Sequence, residues 1–374
     1  MLNNFDNWLV MFGSYGGAFM LFWLAMVAVC TCLYIYESRN GPFSRKIEDS
    51  IFWAFGFLMV LFAAFRPNGI ARDDKPYLTI FETICPTLTC QVWVQGDRDM
   101  VWYSLVGILK SFSPEPQVML FLAAMGLIVK LFVIYKLVKR PLIVLVFYTG
   151  LFYQIQDLTA WRVSLAIAAF LSAILLIVWQ SKYRNSWVLF LCGLFHKQGY
   201  VAPLILLGVF FRKNRKLLLA LCLIPVGLLI VDVYPKLHLL SALIEDDIQR
   251  LIIAEGLDGY IDAKNKGVYQ GWRNAPITVY PFILLILWFV ILEHLKNNHL
   301  DAMLVGCVLI ACLFLWVFAS LPVVQVRFFE FFMVPTLLLV GMSRLRWFEF
   351  AGVILVAGIH VAKYNVVNQI FIQP

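Results

Sequence analysis

The chain reads as an all-α polytopic membrane protein, and three observations predict this. The sequence is 62% hydrophobic and only 14% charged, whereas a soluble domain is about a quarter charged. Its mean hydropathy is +0.84. Its apolar runs approach the roughly 20 residues that a helix needs to cross hydrocarbon, and the gaps between them are short. A chain of 374 residues built this way gives about ten to twelve spans in a single transmembrane domain, 1–374.

In order, the apolar runs are Tyr15–Tyr36, Ser50–Phe65, Val118–Val138, Leu142–Tyr153, Ala160–Gln180, Trp187–Phe211, Leu217–Tyr234, Pro276–Leu292, Leu300–Ala319, Phe328–Met342 and Phe348–Ala362. Met1–Gly13 is weakly amphipathic and lacks a basic flank, so it is expected at the interface rather than as a cleavable signal. Short basic loops stay on the cytoplasmic side. Arg39/Arg45/Lys46, Lys136/Lys139/Arg140, Lys182/Arg184, Arg212/Lys213/Arg215/Lys216 and Arg344/Arg346 mark that side. Simple alternation satisfies them through Gln180. It then fails, because 187–211 has basic clusters at both ends and Phe195-His196-Lys197-Gln198-Gly199 in its middle. A re-entrant helical hairpin at 187–211, with the polar turn at its tip, restores the pattern. Backbone that is not helical at membrane depth must line a polar cavity. The expectation is about ten full transmembrane helices plus this hairpin, with both termini outside. Lys130 and Asp232 interrupt apolar runs near their ends, and Lys130 is expected to snorkel toward the inner face.

Two outer loops are long, 66–117 and 235–275. The first contains an amphipathic stretch, Val101–Phe112. The second places Leu237, Leu240, Ile244, Ile248, Leu251 and Ile252 at helical spacing, opposite Glu245, Asp246, Asp247 and Arg250. That pattern suits a helix lying on the bilayer surface or acting as a lid. Beyond it, Tyr260, Tyr269, Trp272 and Arg273 offer aromatic and polar groups for sugar rings, although aromatics are common at any membrane interface.

Topology gathers the ionisable groups of four segments at outer helix ends, and ionisable groups at membrane depth mark functional sites by default. The first segment runs from Arg66 through Arg72, Asp73 and Asp74 to Tyr77. Its arginines suit bidentate phosphate binding, and its aspartates suit either deprotonation of a sugar hydroxyl or holding the arginines. The second carries Arg162 in the first turn of an apolar helix. A cation there opposes the helix dipole and calls for an anion, either Asp157 or a bound pyrophosphate. The third is His196, a candidate general base, with Lys197 beside it for phosphate. The fourth sets Arg327 and Glu330 three residues apart, where they can pair or where Arg327 can meet a further phosphate.

The net charge of +8 partly reflects topology, and no basic run alternates with exposed aromatics, so no nucleic-acid partner is expected. No Gly-rich phosphate loop, HExxH, CxxC or GxSxG pattern occurs. Neither a cofactor nor a metal cage is expected, and ATP-driven transport within the chain is disfavoured. Of the eight cysteines, Cys85 and Cys90 flank Pro86 in the first outer loop and are a disulfide candidate if that loop faces an oxidising compartment.

The four segments, in this order, resemble the Wzy-type polysaccharide polymerases, specifically their EpsG-like branch. That branch has an Arg-x-x-x-Gly-x-Asp-x-x-x-Tyr pattern after the second span, and Arg66, Gly69, Asp73 and Tyr77 fit it with one extra residue before Asp73. Arg162 and Ala166 fit an Arg-Gln-Gly-Ile-Ala-like helix start, with Val163 and Ser164 departing from it. Phe195 and His196 fit a Phe-His break, whereas Gln198 and Gly199 do not. Arg327, Phe328, Phe331, Phe332 and Pro335 match an Arg-Phe-x-x-Tyr-Phe segment leading to Pro.

The resemblance implies a polymerase that joins undecaprenyl-pyrophosphate-linked oligosaccharide repeats at the periplasmic face of the inner membrane, as in O-antigen or capsule synthesis. The termini and the loops 66–117 and 235–275 would then be periplasmic. Arg66, Arg72, Arg162 and Arg327 would bind pyrophosphate. His196, or else Asp73, would be the base. Asp74, Tyr77, Lys197, Trp272, Arg273 and Glu330 would contact substrate. Partners would be the lipid-linked donor and acceptor, and a Wzz-type chain-length regulator is a further candidate. An O-antigen ligase or another lipid-linked sugar transferase would use the same chemistry. A lipid-linked oligosaccharide flippase is the alternative from another class, and it would favour a midplane site and repeated halves.

Overall fold

The computed structural model describes residues 15–41, 44–66, 74–83, 100–180, 183–211, 299–317, 322–342 and 345–362, with isolated positions between 214 and 223 and between 283 and 287. Everything described is helical or connects helices. Among the described residues, five helices are long and apolar enough to cross a membrane, and five more apolar helices are shorter. The runs expected at 217–234 and 276–292 and the surface helix expected within 235–275 lie outside the described residues.

The chain divides into two compact units. The first holds α1 (Tyr15–Asn40), α2 (Arg45–Phe65), α3 (Asp74–Thr83), α4 (Met100–Phe112) and α5 (Leu120–Leu137), which a 3-10 turn, Pro116–Met119, leads into. It continues through α6 (Pro141–Gln156), α7 (Trp161–Gln180) and two 3-10 helices, Tyr183–Leu194 and Lys197–Leu206, the second of which passes into the second unit after Pro203. At the centre α5 packs against both α2 and α7. Its two faces explain its solvent. Phe121, Met125, Ile128, Val129 and Phe132 form an exposed apolar stripe, while Lys130 on the opposite side is wholly buried. That is the reverse of a water-soluble helix, and it suits a helix surrounded by lipid.

Gly126 eases the contact between α5 and α7. A Cβ there would lie 3.1 Å from Ser164 Oγ and 3.2 Å from Leu165 Cδ2. Side chain to backbone hydrogen bonds join α6 to its neighbours. Trp23 Nε1 donates to the Val146 carbonyl at 3.1 Å, and Tyr153 Oη donates to the Met59 carbonyl at 2.6 Å. Within α6 the five residues Thr149–Tyr153 form a π-helical turn. Its Gly150 carbonyl lies 3.1 Å from His360 Nδ1.

At one end of this unit Arg140 bonds both carboxylate oxygens of Glu37, at 2.7 and 2.6 Å. Beside it Tyr135 donates to Asp49 at 3.0 Å. These belong to the basic loops that the charge pattern places together.

The break expected inside 187–211 is present. The two 3-10 helices are separated at Phe195–His196, and Gly199 returns against the backbone of Cys192 while Gly193 faces the Tyr200 ring. Residues seven apart in a continuous helix are two turns away from each other, so this approach records a chain reversal.

The second unit contains α8 (Leu207–Phe211), α9 (His299–Val317), α10 (Pro322–Thr336) and the start of α11 (Leu338–Met342). The chain then returns to the first unit for residues 340–346, and the last helix, α12 (Trp347–Ala362), contributes to both. Phe314 of α9 packs on Phe328 and Phe332 of α10, with ring centroids 4.6 and 5.7 Å away. Gln325 Nε2 donates to the Leu315 carbonyl at 2.6 Å.

Two glycines bring α8 and α9 together. A Cβ on Gly306 would fall on the Ile205 carbonyl, and one on Gly208 would fall on backbone of Ala302 and Gly306. Alanine is intrinsically the better helix former by about 1 kcal/mol. Here the obstacle is backbone that cannot rotate away, so the steric cost prevails. Gly306→Ala is expected to destabilise the protein by about 1–3 kcal/mol. Thermal unfolding in detergent should show a lower midpoint, and an unchanged or raised midpoint would contradict this packing.

Candidate functional site

The site is built in the first unit from three of the four sequence segments. Arg66 follows the last turn of α2, and Asp74 opens α3. Both side chains are wholly buried, and they form a bidentate pair, with Nη1 2.6 Å from Oδ2 and Nη2 on Oδ1. Taking two charges out of water is costly, and only near-ideal pairing compensates for it.

The Arg66 guanidinium also lies over the Trp161 ring, 5.3 Å from its centroid. Trp161 stacks on Tyr77 at 4.7 Å and 15°. The Arg162 guanidinium covers Tyr77 at 5.6 Å. The result is a stack of cation, ring, ring and cation, in which the aromatic faces attract both guanidiniums and keep them apart. Trp102 of α4 leans on Tyr77 at 5.5 Å.

An apolar cluster closes around the stack. It joins Phe81 of α3, Trp102 and Val106 of α4, Met119, Leu120, Leu122 and Ala123, and Leu165 of α7, and Phe195 packs against it from the chain reversal. Lys110 Nζ binds the carbonyls of Phe81 and Glu82 at 2.7 and 2.9 Å, which fixes α4 to the end of α3. Cations are favoured at helix C-termini.

At the reversal, the Gln198 N–H donates to His196 Nδ1 at 3.3 Å. Lys197 is half-buried beside it.

The first, second and third segments thus converge through Arg66, Asp74, Tyr77, Arg162 and the Phe195–His196 turn. Arg327 and Glu330 lie on α10 in the second unit, Arg327 half-buried and Glu330 buried. Arg72, Asp73, Cys85, Cys90, Trp272 and Arg273 lie outside the described residues.

One sequence-based expectation is corrected, and one of two alternatives for Arg162 falls away. Lys130 does not snorkel to the inner face. Its side chain is wholly buried and lies 2.6 Å from Asp157 Oδ1, because a helical side chain leans toward its own helix N-terminus and a countercharge waits there. Asp157 is not the partner of Arg162, since its two oxygens serve Lys130, Ser164 and Tyr148. Both terminal nitrogens of Arg66 engage Asp74, which thereby takes the arginine-holding role that the sequence left open to the aspartates.

Sequence reasoning also missed Trp102 and Trp161. Both are buried, and neither indole Nε1–H has a hydrogen-bond acceptor among the described residues. The aromatic richness of 100–103 and 161 was the available signal.

The matching of four ordered segments and the convergence of three of them are accompanied by a family-model match. The EpsG family model aligns with residues 50–347. The chain belongs to the EpsG family. The matched stretch of this EpsG-family protein runs from α2 through α11 and includes all four segments. Neither a search of curated proteins nor one of solved structures finds a match.

Proposed function

We propose that this EpsG-family chain is a membrane glycosyltransferase that polymerises undecaprenyl-pyrophosphate-linked oligosaccharide repeats at the periplasmic face of the bacterial inner membrane. The observation that carries the reading is the stack of Arg66, Trp161, Tyr77 and Arg162 beside the His196 turn, at the ends of apolar helices.

In the reaction, an acceptor sugar hydroxyl attacks the anomeric carbon of the donor glycan. The bond from that carbon to the pyrophosphate oxygen breaks, the hydroxyl proton passes to a base, and undecaprenyl pyrophosphate leaves with the electron pair. A leaving group of this charge needs preorganised cations. Arg162 supplies one from a helix N-terminus where an anion relieves the dipole conflict, and Arg72 and Arg327 are the further candidates. Arg66 holds the aromatic stack in place while bound to Asp74. His196 at the chain reversal is assigned the base, with Asp73 the second candidate. The two indole N–H groups of Trp102 and Trp161 are donors that suit an oxygen-rich ligand. Tyr77, Asp74, Lys197, Trp272, Arg273 and Glu330 remain assigned to the surroundings of the substrate, and a Wzz-type regulator remains a candidate partner.

The test is incubation of the purified full-length protein in lipid nanodiscs with a synthetic undecaprenyl-pyrophosphate-linked repeat from the host's own glycan, read by mass spectrometry. Products spaced by one repeat unit, with release of undecaprenyl pyrophosphate, are expected. Transport of the intact lipid across a bilayer without any mass change would instead assign a flippase.

A further inference from the structure

A second polar constellation lies wholly inside the first unit, and the chemistry above does not use it. Lys130 of α5, Tyr148 of α6, Asp157 after α6 and Ser164 of α7 are all buried. Lys130 Nζ donates to Asp157 Oδ1 at 2.6 Å, to Tyr148 Oη at 2.8 Å and to Ser164 Oγ at 2.9 Å. Ser164 Oγ donates onward to Asp157 Oδ1 at 2.6 Å, and Tyr148 Oη donates to Asp157 Oδ2.

An ammonium has three protons and no acceptor, so all three are used. Each hydroxyl accepts once and donates once. The quartet is therefore closed, and a closed buried network fixes geometry firmly because any slippage strands a polar group in a medium without water.

What it fixes is the turn into α7. Asp157 lies five residues before Arg162, and Ser164 lies two residues after it. Between them the backbone turn is completed by Leu158 N to the Tyr153 carbonyl at 3.2 Å and Ala160 N to the Ile155 carbonyl at 2.9 Å. Both anchors thus bracket the Trp161–Arg162 pair, whose rings and guanidinium build the stack. The π-helical turn contributes alignment. Residues nine apart in a regular α-helix lie about half a turn out of phase, whereas here Tyr148 and Asp157 are in direct contact. No transport path is implied, because every donor and acceptor in the quartet faces another member.

We infer that Lys130, Tyr148, Asp157 and Ser164 are positioning residues that set the height and rotation of the first turn of α7, and so aim Arg162 at a pyrophosphate. The inference rests on the proposed role of Arg162. Its test separates the two. Full-length protein in detergent is titrated with geranylgeranyl pyrophosphate, with geranylgeraniol as the uncharged control, and its thermal midpoint is measured in parallel.

The double variant K130M/D157L removes both charges together and so leaves no buried charge unpaired, although the Tyr148 and Ser164 hydroxyls lose their quartet partners. The protein is expected to fold with a lowered midpoint, while its affinity for the pyrophosphate falls about tenfold and that for the alcohol is unchanged. Parental pyrophosphate affinity in a folded K130M/D157L protein overturns the positioning role. Should K130M/D157L not fold, S164A decides, since it deletes a single oxygen: affinity about threefold weaker is expected, and parental affinity overturns the inference. R162A tests the reading beneath. If R162A binds the pyrophosphate as the parent does, the proposed function fails whatever the quartet variants show.

Discussion

Arg162→Ala is expected to abolish long-chain glycan in a strain lacking its own copy of the protein, while the variant accumulates in the membrane at the parental level. Arg162 is half-buried in the first turn of α7, and its guanidinium rests on Tyr77. Neither feature stabilises the fold by much, since a single cation–π contact contributes about 0.5–2 kcal/mol. Removing one preorganised group that faces developing negative charge costs far more in rate, about 100- to 1,000-fold. The two effects therefore separate: a large loss of product and a small loss of protein. Lysine in its place keeps the charge but not the planar fork or the stacking, so Arg162→Lys should recover only part of the activity. Glycan of normal length in Arg162→Ala would remove this residue from the reaction.

Asp74→Ala should act in the opposite manner and deplete the protein itself. Asp74 and Arg66 are wholly buried and grip each other through two hydrogen bonds. Taking away the carboxylate leaves a guanidinium uncompensated in a low-dielectric interior, a loss of about 3–5 kcal/mol. That is a large share of the roughly 5–15 kcal/mol by which domains are stable. Low steady-state protein and a sharply lowered thermal midpoint are expected, together with displacement of the ring stack that Arg66 covers. Replacing both partners, as Arg66→Met with Asp74→Leu, should recover much of the protein level. If Asp74→Ala alone accumulates and melts as the parent does, the pair is not holding α3 to α2.

Much of this was legible in the sequence. Runs of apolar residues announced the helices, and Phe195-His196 inside an apolar run announced the break that the chain reversal confirms. The convergence of Arg66, Tyr77 and Arg162 followed from placing all three at helix ends on one side.

What could not be read was which charges satisfy one another. Lys130 and Asp157 are 27 residues apart and look alike in composition to any lysine near a helix end and any aspartate in a loop. Only the packing of α5 against α7, eased by Gly126, decides that they meet. In the sequence Asp157 is one of two anions open to Arg162, and nothing there points to Lys130, which the structure places on it. The same ambiguity affected Arg66, for which the sequence left a phosphate and the neighbouring aspartates open as oxyanions, and the structure places Asp74 on it.

The π-helical turn at Thr149–Tyr153 has an evolutionary consequence. It packs five residues where a tighter coil would use fewer, so it marks a place where chain length and side-chain bearing are linked. Deleting a single residue there would leave a longer, more regular helix of similar hydrophobicity. It would also turn Asp157 by about 100° relative to Tyr148. Relatives that keep this lysine and aspartate should therefore show no gap between positions 149 and 153, even where neighbouring loops vary freely in length.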